Sequence, residues 1–71
     1  MKFYVLRGVI KGRQIKEKVA SSRRSGEIKL EKILAKNGLQ VEENYFSSKH
    51  TEEFVCDART RFSISRVVVE C

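Results

Sequence analysis

The sequence predicts an α+β fold, with one helix packed on one face of an antiparallel sheet and elements in the order β-β-α-β-β-β. Three observations lead there. Residues 3–10 and 62–69 are runs of aromatic and β-branched residues. Residues 27–37 carry an apolar stripe at helical spacing that stops at Asn37-Gly38. The 71 residues leave room for one small domain, 1–71, and the balance of 41% hydrophobic to 34% charged residues is globular rather than disordered. The rival order, β-β-α-β-α-β, differs in residues 51–62.

Residues 3–10, Phe-Tyr-Val-Leu-Arg-Gly-Val-Ile, are apolar on both faces, which places this strand at the centre of the sheet or at a dimer contact. Residues 14–21 alternate, with Ile15 and Val19 on one side and Lys16 and Lys18 on the other. A two-residue type II′ turn on Gly12-Arg13 pairs Ile10 with Ile15 and sets Arg7 opposite Lys18, a repulsive pair. A three-residue loop instead pairs Val9 with Ile15 and Arg7 with Glu17. Both give a hairpin; the register stays open.

Ser21 to Gly26 reads as a linker, with Ser25 as the cap of a helix over 27–37 and Glu27 near the positive end of its dipole. Leu30, Ile33 and Leu34 form the buried stripe, while Lys29, Glu31, Lys32 and Lys36 stay in water. Gly38 supplies the left-handed residue of a Schellman stop, and Leu39 folds back onto Leu34. Leu39, Val41 and Tyr45 suggest a strand over 39–46, followed by a turn at Ser47-Ser48-Lys49-His50. Thr51-Glu52-Glu53 resembles a helix start, yet Phe54, Cys56, Ala58, Thr60, Phe62 and Ile64 alternate. Asp57 also suits the first position of a type I turn, so a hairpin of 52–57 with 61–69 is preferred. A single helix covers one sheet face and leaves the other open to a partner.

The formal net charge is +6, and it is concentrated at one end. Residues 1–24 hold eight Lys and Arg against Glu17 alone, whereas 25–56 hold four Lys against six Glu. Such a block attracts polyanions over roughly 8–10 Å in physiological salt. The candidate nucleic-acid contacts are Lys11, Arg13, Lys16 and Lys18 on the hairpin, Arg23 and Arg24 after it, and Arg59 and Arg61 at the distal turn. A two-stranded ribbon enters a duplex major groove, and its cations meet phosphates there. The same charge would also suit an acidic protein surface, or serve solubility alone.

Chemistry beyond binding has less to draw on. There is one histidine, His50, and Cys56 and Cys71 form no C-x-x-C. Two reduced thiols in a reducing, cytoplasmic compartment are expected, with a Cys56–Cys71 disulfide as the alternative. No phosphate-cradling glycine motif occurs, no cofactor or metal is implied, and no apolar run reaches the ~20 residues of a membrane helix.

From Glu27 to about Val69 the chain resembles the HicA family of small toxin ribonucleases. The likeness lies in the helix end Lys36-Asn37-Gly38-Leu39, the strand Gln40 to Tyr45, the turn Ser47-Ser48-Lys49-His50 and the hairpin from Thr51. It implies His50 as general acid or base at a scissile phosphate, with Lys49 stabilising the developing charge. The expectation from the residues themselves is a small basic module, more a binder than an enzyme, that contacts RNA or DNA phosphates through its first hairpin. The alternative is an interaction or inhibitor accessory protein of a phage or mobile element, docking or homodimerising through the open sheet face.

Overall fold

The computed structural model describes residues 1–70. Seven elements follow in order: β1 (Lys2–Ile10), β2 (Arg13–Gln14), β3 (Lys18–Ala20), α1 (Arg23–Asn37), β4 (Glu43–Ser48), β5 (Thr51–Asp57) and β6 (Thr60–Val68). All pairings are antiparallel, in the order β2-β1-β6-β5-β4, with β3 beside β2 on the same edge of β1. β2 and β3 are one strand interrupted in the middle. The α+β class therefore holds, with one strand more than the sequence counted, and the helical alternative over 51–62 is replaced by the hairpin β5–β6. Its turn starts at Asp57, whose carboxylate accepts the Arg59 backbone N–H at 2.8 Å.

β1 lies between β2/β3 and β6, which explains its two apolar faces. Its partners show how the first hairpin resolves its register. Ile10 pairs with Arg13 and Val9 with Gln14, so the turn residues are Lys11 and Gly12, with φ of 51° and 84°. Two positive φ angles match the type I′ turn, not a type II′ turn on Gly12-Arg13. Farther along, Leu6 pairs with Lys18 and Val5 with Val19. Between these pairs, one strand advances by four residues and the other by three, so the edge strand carries a bulge. The extra residue reverses the facing of everything after it. Ile15 packs against the core under the helix, while Val19 faces the other way and is 62% exposed. The sequence reading had put the two on the same side. Arg7 bonds Glu17 at 3.0 Å, the favourable pair offered by the three-residue alternative.

The helix starts four residues earlier than the sequence suggests. Ser22, not Ser25, is its cap and accepts the Ser25 N–H at 3.1 Å. What reads as linker, Arg23 to Gly26, is the first turn of the helix. Glu27 lies beyond that turn and meets Arg23 and Arg24 instead of the free N–H groups. The far end closes as expected. Gly38 sits at φ 64°, its N–H donates to Ala35, and the Leu39 N–H donates to Leu34 at 2.9 Å, which is the Schellman pattern.

Leu6, Leu30, Cys56, Phe62 and Ile64 form the core between helix and sheet, flanked by Tyr4, Ile10, Ile15, Ile33, Leu34 and Phe54. Gly8 is required there: a Cβ would fall 2.3 Å from the Phe62 ring. β4 begins four residues later than expected because Leu39 and Val41 pack onto this core as the connection, and Ser47 and Ser48 extend the strand to a tight turn at Lys49-His50. Cys56 is buried; the pairing considered with Cys71 lies outside the described residues. Among the described residues, no helix is long and apolar enough to cross a membrane.

Candidate nucleic-acid interface

The helix is polarised across its width. Lys29, Lys32 and Lys36 follow an i, i+3, i+7 spacing on one flank, and Glu27 and Glu31 lie on the other. The glutamate flank faces Val41, Asn44 and Phe54, towards β4 and β5. The lysine flank faces the interrupted edge strand. There, Lys18, Lys29, Lys32 and Lys36 line a shallow groove of about 310 Å³ with Ile33 in its wall. A second hollow of about 280 Å³ shares Lys18, Ile33 and Lys36 and adds Ile10, Ile15 and Lys16.

Five lysines thus border two neighbouring hollows that share Lys18, Ile33 and Lys36. Among the described residues, no carboxylate lines them, and none of the five lysines lies within ion-pairing distance of one. The bulge is what brings Lys18 here, since it places that residue opposite core-facing Leu6. The aliphatic stems can lie along the isoleucines while the ammonium groups remain hydrated and accessible.

The hairpin tip follows Ile10, which lines the second hollow. Ile10 pairs with Arg13 and precedes Lys11. The tip is joined to the β5–β6 turn by three bonds: Lys11 N–H to Thr60 Oγ1 at 3.1 Å, Gly12 N–H to the Arg59 carbonyl at 3.1 Å, and the Arg59 guanidinium to the Lys11 carbonyl at 3.2 Å. Lys11, Arg13 and Arg59 therefore converge at one end of the sheet, on a scaffold held from both sides.

The remaining cations separate from this cluster. Arg61 pairs across from Val9 on the open face and donates to the Tyr45 hydroxyl at 3.1 Å. Arg23 lies 3.8 Å from both Glu27 and Glu52 and stands 5.1 Å over the Phe46 ring; Arg24 lies 3.7 Å from Glu27. Of the eight cations singled out from the sequence, Lys16 and Lys18 line the hollows, and Lys11, Arg13 and Arg59 lie at the joined turns. Lys29, Lys32 and Lys36 join Lys16 and Lys18, although the sequence reading assigned them only to water.

His50 is remote from the lysine groove, at the β4–β5 turn. It borders a dip of about 120 Å³ with Arg23, Lys49, Glu52 and Arg66. Its Nε2 lies 2.9 Å from the Arg66 guanidinium, a donor, so the ring is the acceptor and neutral. Its pKa lies below the ordinary 6.5, through loss of hydration first and then the Arg66 and Lys49 charges. Burial, with the Asp57 and Glu42 charges adding to it, raises the pKa of Cys56 and keeps this thiol protonated at neutral pH. Among the described residues, no cluster of three or more His, Cys, Asp or Glu could hold a metal ion. Comparison with protein-family models, with curated protein sequences and with solved structures found no match.

Proposed function

We propose that the chain is a nucleic-acid-binding module that seats a phosphate backbone along the lysine groove and the hairpin tip. The single observation behind this is the groove itself: Lys16 and Lys18 of the interrupted edge strand and Lys29, Lys32 and Lys36 of the helix border two neighbouring hollows that share Lys18, Ile33 and Lys36 and, among the described residues, are lined by no carboxylate. Lysines placed only for solubility have no reason to converge across a helix–strand boundary. Contacts of this kind position a backbone and carry little sequence information, so binding is weakly specific and salt-dependent.

Filter binding of the full chain to an RNA and to duplex DNA tests this reading. Affinity should fall steeply between about 50 and 200 mM salt, and Lys16→Glu with Lys18→Glu should weaken all sequences alike. Absence of polyanion affinity at the lower salt would end it.

A second reading, self-association, is favoured by the open sheet face. Phe3 pairs beside Val67 and Val5 beside Val19, giving an apolar patch at one end of that face. Sedimentation tests it directly: a monomer at high protein concentration would remove this reading.

A further inference from the structure

The flank of α1 opposite the lysines has its own pair of hollows. One, of about 260 Å³, is floored by Leu30, Leu34, Val41 and Phe54 and rimmed by Glu27, Glu31 and Asn44. The other, of about 530 Å³, begins at the same Leu34, runs past the helix end at Gly38 and is rimmed by Glu42 and Asp57. Four of the nine acids of the chain thus border one side of the helix, and among the described residues neither hollow is lined by a Lys or Arg. Glu27 is engaged by Arg23 and Arg24, whereas no cation among the described residues lies within ion-pairing distance of Glu31, Glu42 or Asp57. These three are exposed, so an incoming group reaches them without disturbing the core. The last carbonyls of α1 add partial negative charge at the same end.

Beside these hollows the sheet ends in an unguarded strand. β4 is its outer strand, all six of its residues are exposed, Tyr45 and Phe46 among them, and it holds no Pro, Gly or Lys. The opposite edge is broken into β2 and β3 by a bulge and flanked by lysines, devices that keep an edge from pairing. From Glu43 to Phe46 the pairing of β4 with β5 is regular, so the outer backbone groups of this stretch can template a further strand. Asn44 and Phe46 stand opposite Phe54 and Glu52, on the helix side of the sheet. A strand added here would send every second side chain to that side, next to Asn44 and over the smaller hollow.

Charge and polarity together select the occupant. The apolar floor asks for an apolar side chain, and the unpaired carboxylates ask for cations on either side of it. A nucleic acid meets only repulsion on this flank, and a second copy joined through β4 would set the same carboxylates facing one another. We propose that this flank docks an extended cationic segment of a partner protein. The segment adds as a strand to β4 along Glu43–Phe46, seats an apolar side chain over Leu34, Val41 and Phe54, and places Lys or Arg side chains by Glu31 and Glu42. The site lies across the helix from the lysine groove and is independent of it.

Fluorescence anisotropy of a labelled peptide, Lys-Val-Lys-Leu-Lys-Val-Lys, with the full chain at low salt tests this, and amide NMR maps the contact. The peptide should bind and shift residues 30–34 and 41–46. Replacing its Val and Leu by Ser should weaken it by about tenfold. Methylating one alternate set of its backbone nitrogens should do the same, while methylating the other set is tolerated, because strand addition uses every second N–H. Glu31→Lys with Glu42→Lys, both at exposed positions, should weaken the peptide by about tenfold and leave the amide pattern of the core in place. Equal binding of the Ser peptide would mean charge attraction alone and overturn the proposal, as would tolerance of both methylated sets or shifts confined to other residues. Dimerisation of the free chain with shifts at residues 43–46 would assign the edge to a second copy and overturn it as well. Lys29→Gln, Lys32→Gln and Lys36→Gln together should not weaken the peptide, so loss of polyanion binding with intact peptide binding refutes the groove alone, and the reverse refutes the acidic flank alone.

Discussion

Neutralising the lysine flank of the helix gives the most direct measure of how this protein meets a polyanion. Lys32 and Lys36 are exposed and Lys29 is half-buried, so Lys29→Gln, Lys32→Gln and Lys36→Gln together keep length and helix propensity while removing three charges from one wall of the groove. The groove and tip present Lys11, Arg13, Lys16, Lys18, Lys29, Lys32 and Lys36 to a backbone. If each neutralises one phosphate of a duplex, log K falls with log salt at a slope of about −6, and affinity drops by about four decades between 50 and 200 mM salt. With three charges gone, the slope should relax to about −4 and the loss over the same range to about two decades. Fluorescence anisotropy of a labelled duplex at several salt concentrations measures both. The control is Arg24→Gln, which touches a side chain already engaged by Glu27 and should shift the slope by less than about one. The reasoning is refuted if the triple replacement leaves the slope at its original value, or if the Arg24 replacement reduces it as much as the three lysines do.

Three further outcomes follow from local geometry. Gly8→Ala should cost about 1–3 kcal/mol in urea unfolding, because its Cβ would meet the Phe62 ring and the buried ring has no free space; Gly26→Ala, whose Cβ would find only ordinary contacts from 3.5 Å, should instead stabilise by up to ~1 kcal/mol. Lys11→Gly should relieve a left-handed lysine worth about 1 kcal/mol and raise the melting temperature while weakening polyanion binding, so a parallel fall in both would contradict the turn assignment. The single histidine should titrate below 6.5 by proton NMR, and Arg66→Gln should move it upwards by removing a like charge. Because the folded value is depressed, His50 contributes stability above pH 6.5 that is lost as pH falls through the folded value; a midpoint at or above 6.5 would refute this.

Much of the fold was legible because local chemistry and tertiary packing agree. The Schellman stop at Gly38, the central position of β1 and the β5–β6 hairpin all came from residue types whose local preferences the structure satisfies. The helix start was not legible, since Ser22 and Ser25 offer the same capping hydroxyl, and only packing selects between them: with Ser22 as cap, Gly26 falls where the helix comes close to Ile64 and Ala20. The bulge was hidden for a related reason. The three-residue register, with Arg7 by Glu17 and Leu6 opposite Lys18, holds beyond the bulge, while the turn itself is a two-residue one on Lys11-Gly12 that neither simple register placed there. The lysine flank was readable from its spacing on the helix, but its meaning depends on which strand lies beside it.

The extra residue in the edge strand also bears on how such a surface arises and is lost. Were the bulge to close into a regular ladder continuing from Val9–Gln14, Lys18 would fall opposite Val5 and Val19 opposite Tyr4, turning a valine towards the ammonium groups of the helix and a lysine onto the open face. No contact residue would need to mutate for the charged channel to close. Deleting one residue there, by contrast, leaves Lys18 opposite Leu6 in a regular strand, so the surface survives loss of the extra residue but not loss of the register beyond it.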